Sequence, residues 1–113
     1  MPRKNVITPT KIFENGDMSG NLVSAEYDTQ WMDNVGIIVA WNGTTPVGAI
    51  TIDVKNGDSE WSELDFGSTI DITGNTGNHN ININQTPFEK FRVNYNFGSG
   101  TGLINAVMTA KML

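Results

Sequence analysis

The side chains in this chain that could do chemistry do not form a catalytic pattern. The one histidine, His79, lies in a segment rich in glycine and asparagine, and no G-x-S-x-G nucleophile elbow occurs in the chain. A hydrolytic triad needs a nucleophile and an acid beside the histidine, and a histidine-based metal site needs several imidazoles. The sequence therefore predicts that His79 is a residue of a surface loop.

Carboxylates gather around the Asn56-Gly57 pair, at Asp53, Asp58, Glu60, Glu63 and Asp65. A calcium ion wants several carboxylate oxygens from one loop, but this spacing matches no known calcium-loop pattern. We interpret the group as a solvated acidic hairpin tip that keeps a strand edge from pairing with other chains.

The glycines of residues 98–102 suggest a phosphate loop, yet a strand and not a helix is predicted to follow them. No catalytic residue, metal or cofactor is predicted.

Aromatic residues offer another kind of site. Trp31 has polar neighbours and is the best candidate for an exposed ring, either in a contact between subunits or stacked on a glycan. Trp41 and Tyr95 are predicted to lie in the core. Asn80, Asn82 and Asn84 form a polar stripe, which is either a solvent face or an asparagine ladder about a symmetry axis.

Composition excludes several classes of protein. The net charge of −5 argues against a general binder of nucleic acid or of membrane surfaces, because both need a basic patch. There is no cysteine, hence no disulfide and no cysteine-based metal site. No apolar run approaches the roughly 20 residues of a membrane-spanning helix, and the basic N-terminus lacks the apolar region of a signal peptide.

The last third of the chain alternates apolar and polar residues on both sides of a glycine-rich segment. Before residues 98–102 the apolar positions are Phe91, Val93, Tyr95 and Phe97. After them, Ile104, Ala106, Met108, Ala110 and Met112 alternate with Asn105, Val107, Thr109 and Lys111. Period-two alternation predicts a terminal β-hairpin with one buried face, in which residues 98–102 form the turn.

Shorter strands are predicted upstream. The continuous apolar run at 36–41 favours a strand buried on both faces. Residues 42–46 are predicted to form a turn that ends at Pro46, with a strand over 47–54 and a hairpin turn at Asn56-Gly57. A short strand follows at 69–73, and a loop is predicted over 74–79. About eight strands at this spacing predict an all-β fold, an antiparallel β-sandwich of jelly-roll-like order.

The domain organisation is predicted as an extended N-terminal arm, residues 1–11, followed by a single β-sandwich domain, residues 12–113. The arm carries two prolines and three of the seven basic residues. It is either a loosely docked terminus or an arm that reaches a neighbouring subunit. The residues predicted to contact other subunits or a lattice are Arg3, Lys4, Lys11, Trp31 and Met32.

Several short motifs carry a resemblance to a known group of proteins. The C-terminal ones are Phe91-Arg92-Val93-Asn94-Tyr95, then Ser99-Gly100-Thr101-Gly102, then Asn105-Ala106 and Lys111. The upstream ones are Trp41, Gly43-Thr-Thr-Pro-Val-Gly48, and Asn56-Gly57 leading to Trp61. Over residues 35–112 the chain resembles small β-sandwich structural proteins of tailed-bacteriophage virions. That resemblance implies capsid decoration or stabilisation, or a tail or fibre appendage, and a symmetric oligomer that is often a trimer.

The prediction is a non-enzymatic phage virion protein that self-associates, with a trimer favoured, and docks on a capsid or tail lattice beside other virion proteins. Its expected location is the extracellular particle, after synthesis in the bacterial cytoplasm. The alternative is a carbohydrate-binding adhesin module of a phage tail or cell surface, in which Trp31 stacks on a glycan. Neither function involves nucleic acid or a membrane.

Overall fold

The structure is a computed structural model. In the part of the chain that it describes, every element of regular secondary structure is a β-strand. Those residues are 9–29, 32–65, 69–84 and 88–112, with only the backbone of residues 32, 33, 84, 111 and 112. The strands are β1 (Thr10–Asp17), β2 (Leu22–Val23), β3 (Tyr27–Asp28), β4 (Met32–Lys55), β5 (Ser62–Glu63), β6 (Ile70–Ile72), β7 (Thr76–Asn84) and β8 (Lys90–Met112). Their pairings are antiparallel, which confirms the predicted fold class.

Two long strands organise this sheet. β4 and β8 pair with each other along nearly their whole length, from Met32 opposite Met112 to Lys55 opposite Lys90. The first half-sheet has the order β7-β4-β8-β1 and uses residues 32–44 of β4 and 101–112 of β8. The second half-sheet uses residues 47–55 of β4 and 90–99 of β8, with β5 and β6 on one side and β2 and β3 on the other.

The predicted terminal hairpin is wrong. Its two alternating runs belong to one strand, β8, and they pair with different halves of β4 instead of with each other. The predicted turn at residues 42–46 is wrong for the same reason, because Pro46 lies inside β4. Both strands continue through the segments whose glycines and proline suggested turns.

Two compensating bulges explain how the strands continue. Thr44 pairs with Thr101 and Val47 with Ser99, so β4 holds one extra residue there. Gly48 then pairs with Phe97, so β8 holds the next extra residue and the original register returns. A bulge bends a strand and shifts its alternation by one position. Inward side chains are therefore at odd positions of β4 in the first half-sheet and at even positions in the second.

Glycines let the two paired backbones approach each other closely at this bend. Gly100 has a φ of 84°, in the region that favours glycine, and a Cβ there would overlap the carbonyl oxygen of Thr45. A Cβ on Gly43 would overlap the carbonyl oxygen of Thr101 in the same way. These glycines are needed for the close approach of two continuous, paired strands and not for a reversal of the chain.

The inward side chains of both half-sheets form one hydrophobic core, as expected for a sandwich. Trp41 and Tyr95 belong to it, as predicted. The apolar run at 36–41 is buried on one face only, because Ile38 and Ala40 point outward between the buried Ile37, Val39 and Trp41. The prediction of burial on both faces was therefore wrong.

Two further boundaries differ from the predictions. β1 begins at Thr10, so the last residues of the predicted arm, Thr10 and Lys11, pair with Met108 and Val107 in the sheet. β7 begins at Thr76, so His79 lies on a strand and not in a loop.

The His79 ring is half-buried against Trp41, with ring centroids 5.4 Å apart. Its Nε2 lies 2.6 Å from the carbonyl oxygen of Asp71 and therefore donates the hydrogen bond that links β7 to β6.

Candidate functional surfaces

The acidic residues near the Asn56-Gly57 turn do not converge on a cation. Among the described residues, no group of three or more histidine, cysteine, aspartate or glutamate side chains is placed to hold a metal ion. Asp58, Glu60, Glu63 and Asp65 are exposed. Asp53 instead takes part in a hydrogen-bond network on the outer side of the second half-sheet. The described residues also contain no helix long and apolar enough to span a membrane.

The predicted contact residues are only partly described. Lys11 lies on β1, with its side chain 64% exposed and its Nζ 3.2 Å from Glu14 Oε1. Met32 begins β4, and its backbone pairs with Met112, while its side chain lies outside the described atoms. Arg3, Lys4 and Trp31 lie outside the described residues, so their roles stay predictions.

The outer side of the second half-sheet carries a connected polar network. The Asp53 carboxylate accepts hydrogen bonds through Oδ2 from Arg92 Nε at 3.0 Å and from Asn94 Nδ2 at 2.9 Å. Thr51 Oγ1 accepts from Asn94 at 3.3 Å and from Asn96 at 2.9 Å. Because these side chains hold one another, the network fixes their orientation on the sheet, with Asn94 buried and Asp53 and Arg92 partly exposed.

Trp61 borders this network. The Arg92 guanidinium lies 4.4 Å from the centre of the indole ring, and the Lys55 ammonium lies 5.6 Å from it. Both distances allow a cation–π interaction, which an indole ring makes best among the aromatic side chains. Trp61 is half-exposed, so it combines an aromatic surface with adjacent hydrogen-bonding groups. From the sequence, Trp31 and not Trp61 was predicted to have this aromatic role.

The outer side of the first half-sheet is different, because it lacks charge over a large area. We call it the neutral face and define it by its outward residues on β7, β4 and β8. They are Asn78, Asn80 and Asn82, then Gly36, Ile38, Ala40 and Asn42, then Leu103, Asn105, Val107 and Thr109. The chain has 19 formally charged side chains apart from histidine, and none of them is among these eleven positions.

The neutral face also exposes three large aliphatic side chains. Ile38 is 58% exposed, Leu103 is 43% exposed and Val107 is 37% exposed. Ile38 and Val107 are direct cross-strand partners, and Asn80 pairs with Ile38 on the other side. The row Asn80-Ile38-Val107 therefore crosses the middle of the face, and the asparagines form its border along β7.

Charged side chains border the neutral face on β1, the edge strand beside it. Lys11 is opposite Val107 and Asp17 is opposite Leu103, and the exposed Glu14, which forms an ion pair with Lys11, lies between them on the same edge. The Asp17 carboxylate accepts hydrogen bonds from the Ser19 hydroxyl at 2.6 Å and from the Ser19 backbone N–H at 2.9 Å. These bonds lower the pKa of Asp17 from its ordinary value of 3.8.

The sequence contains a partial signal for the neutral face. The asparagine stripe on β7 and the outward position of Val107 were both predicted. Ile38 was missed because the run at 36–41 is apolar throughout. Within that run the odd positions hold Ile37, Val39 and Trp41, whereas two of the three even positions are glycine and alanine. This difference in side-chain size indicates which face is inward.

Comparison with known proteins gives similarity in structure but none in sequence. No protein-family model matches the chain, and no curated protein sequence matches it. The SPBc2 prophage-derived protein YomS has a similar structure, with a TM-score of 0.64 and 10% identity over 97% of each chain. A chain in the structure of infectious bursal disease virus, Gx strain, has a TM-score of 0.61 and 11% identity over 98% of this chain. The matched region is 33% of that viral chain.

A third similar structure comes from Bacillus endospore appendages that form disulfide-linked pili, with 12% identity over 99% of this chain and 93% of that one. Its TM-score of 0.47 is too low to support an inference. Identities of 10–12% show the fold alone. The chain is an antiparallel all-β protein whose fold also occurs in a prophage-derived protein and in a chain of a virus.

Proposed function

We propose that this chain is a structural, non-enzymatic component of a bacteriophage virion. It associates with copies of itself and docks on a capsid or tail lattice with other virion proteins. The observation that carries this proposal is the similarity in fold to the prophage-derived protein YomS, which extends over 97% of both chains. The resemblance of residues 91–95 and 99–102 to segments of tailed-phage structural proteins also supports it, because that resemblance is in the amino-acid sequence and not in the fold.

The surfaces of the fold support assembly as the mode of action. A protein that works by lattice contact needs a surface with little charge at its centre, and the defining positions of the neutral face carry none. The arm and the segment around Trp31 are proposed as additional contacts, through Arg3, Lys4, Lys11, Trp31 and Met32. The resemblance favours a trimer.

The proposal is tested on purified particles of the phage that encodes the chain. Density-gradient particles should contain the protein at a constant copy number per major capsid protein, as measured by quantitative mass spectrometry. Antibody-gold labelling should then place it on the capsid or on the tail. An abundant host protein that disappears during purification is the control. Protein that is present in infected cells but absent from the gradient particles would refute a virion role.

A second candidate function, carbohydrate binding by an adhesin module, is favoured by one observation. Half-exposed Trp61 lies against Arg92, which is hydrogen-bonded to Asp53, and an aromatic ring next to polar groups can stack on and hydrogen-bond a sugar. A glycan array should then show binding that Trp61→Ala or Trp31→Ala abolishes. An array without a single bound glycan would exclude this function.

A further inference from the structure

The edge strand β7 is open to another strand, whereas β1, the other edge of the first half-sheet, is protected. β1 carries the charged side chains of Lys11, Glu14 and Asp17, and its pairing with β8 has two register shifts. Charges and bulges of this kind keep an edge from pairing with other chains. β7 contains no aspartate, glutamate, lysine or arginine, and it pairs with β4 through nine consecutive residues without a bulge. Among the described strands, β4 is its only partner.

The free side of β7 presents the backbone groups of its even-numbered residues. The Gly43 N–H donates to the Asn75 carbonyl oxygen at 2.8 Å, and this pair continues the register of the ladder between β4 and β7. Bonded and non-bonded pairs alternate along an antiparallel ladder, so the odd-numbered residues of 77–83 are the ones bonded to β4. The N–H and C=O groups of the even-numbered residues of 76–82 therefore point to the free side, and none of them is hydrogen-bonded to a described residue.

Asparagine makes this free side complementary to a second copy of itself. Asn78, Asn80 and Asn82 are exposed, and a carboxamide both donates and accepts hydrogen bonds. Of the two interpretations that the sequence leaves open for this stripe, a ladder about a symmetry axis suits such an edge. Each copy carries a net charge of −5, so copies repel each other where charged surfaces meet, but residues 72–88 contain no formal charge. Two copies can therefore meet along β7 without bringing like charges together in the strand pair.

Asp71, on β6, is a charged residue that contacts β7, and its carboxylate is directed elsewhere. The Asp71 carbonyl oxygen accepts the hydrogen bond from His79. Because the neighbouring Ile72 is fully buried, the alternation of the strand directs the Asp71 side chain to the outer side of the second half-sheet. There the carboxylate accepts a hydrogen bond from Thr69 Oγ1 at 3.1 Å. The charge therefore lies on the far side of the second layer of the sandwich and not beside the free edge.

We propose that two copies of this chain pair their β7 strands antiparallel about a two-fold axis at Asn80. The two four-stranded first half-sheets then form one continuous sheet, and the two neutral faces join side by side. This inference rests on the proposed function and deepens it, since it names the edge through which the virion protein self-associates. A two-fold contact of this kind closes as a pair, so the expected assembly is a dimer, which also tests the trimer that the resemblance favours.

The position of the axis follows from the hydrogen-bonding pattern. Asn80 is the midpoint of β7, so an axis there places Asn78 opposite Asn82 and Thr76 opposite Asn84 of the second copy. Every such pair joins two even-numbered residues, and each exchanges two backbone hydrogen bonds, which gives about ten in all. A typical specific interface has a similar number. Because the contact gains hydrogen bonds more than apolar area, we expect a weak, reversible pair that is strengthened on a lattice holding many copies close together.

The first experiment measures amide hydrogen exchange of the full chain by NMR at about 50 µM and about 1 mM. The N–H groups of Asn78, Asn80 and Asn82 should exchange at least about fivefold more slowly at the higher concentration, because pairing covers them. The N–H groups of His79 and Ile81 are the internal control, since they are bonded to β4 in the single copy and should exchange equally at both concentrations. Equal exchange of all five at both concentrations would overturn the pairing.

The second experiment follows mass by sedimentation equilibrium from about 5 µM to about 1 mM. The wild-type chain should rise from 12.3 kDa towards twice that mass. Asn80→Pro removes an N–H that bonds nothing in its own sheet, so the chain should still fold, as proline is accepted on an edge strand. Association should weaken at least about tenfold, because two hydrogen bonds at the axis are lost. Asn80→Thr keeps the N–H and is the matched control.

A lysine variant keeps the test valid if the proline variant does not fold. Asn80→Lys would place two like charges directly opposite each other at the axis, and lysine is a residue that natural edge strands use against pairing. It should also weaken association at least about tenfold. Thr109→Lys is its control, because Thr109 is an exposed residue of the same neutral face but lies on β8, with β4 between it and β7. That control should associate like the wild type.

The outcomes separate this inference from the proposed function. A chain that stays monomeric to about 1 mM, a trimer, or an oligomer that persists in Asn80→Lys would each overturn the β7 pairing. So would an equal loss of association in Thr109→Lys, which would move the contact from the edge to the face. The virion test would still stand, because a protein can be found in purified particles without pairing through this strand.

Discussion

Gly100→Ala is expected to lower the free energy of unfolding by about 4 kcal/mol. A backbone φ of 84° strains any residue with a Cβ, which contributes about 1–2 kcal/mol. The added methyl group would also overlap the carbonyl oxygen of Thr45, and moving a packed backbone costs a further 1–3 kcal/mol or so. Urea denaturation followed by tryptophan fluorescence measures the loss, which is a large part of the usual stability of a small domain.

Gly57→Ala is the matched control for this prediction. Gly57 also has a positive φ, 53°, but a Cβ there meets no atom within 4 Å. This variant should lose only the conformational part, about 1 kcal/mol. If Gly100→Ala costs no more than Gly57→Ala, residues 98–102 form an open turn and the close approach of β8 to β4 at Gly100 is incorrect. Failure of Gly100→Ala to fold while Gly57→Ala folds would support this close approach.

Phe91→Ala is expected to cost about 3–5 kcal/mol, because it empties a fully buried aromatic site. The Phe91 ring lies 5.3 Å from the ring of Tyr27 and 6.5 Å from that of Phe88, so its loss also removes two aromatic contacts. Phe97→Ala should cost about 1 kcal/mol or less, since Phe97 is 39% exposed at the bend. Chemical denaturation of both variants gives the two losses directly.

This pair of variants distinguishes the structure from the sequence-based hairpin. The two phenylalanines belong to the same strand, undergo the same substitution and were predicted to share one buried face. Equal losses would indicate that the alternation continues unbroken to Phe97 and that the bulge in β8 is absent. A difference of at least about 2 kcal/mol would agree with the bulge.

Much of the core was predictable because a strand alternates its side chains with a period of two. Phe91, Val93 and Tyr95 face the core, and so do the alternating residues of the last run, from Ile104 to Ala110. Local patterns were less informative where they were uniform. The apolar run at 36–41 has no polar residue to mark its outer face, so Ile38 was assigned to the core and the neutral face was missed.

Strand pairing was not predictable, because the same residues suit two different structures. Glycines in residues 98–102 allow a tight turn, and they also allow the backbones of two paired strands to approach closely. The neighbouring residues in the sequence do not distinguish these two cases. Pro46 lacks a backbone N–H, which suits a turn as well as a bulge inside a strand. The choice depends on β4, which pairs with both halves of β8 through residues that lie 35 (Lys55 and Lys90) to 80 (Met32 and Met112) positions apart along the chain.

An all-β antiparallel fold, most of the residues of its core and the lack of a catalytic pattern therefore follow from the amino-acid sequence alone. The tertiary structure was needed to establish that β4 and β8 are continuous strands shared by two half-sheets. It was also needed to bring Ile38, Val107 and Leu103 together on one uncharged surface. The physical reason is that side-chain alternation is a local property of each strand, whereas the choice of partner strand and the position of a bulge depend on contacts between distant parts of the chain.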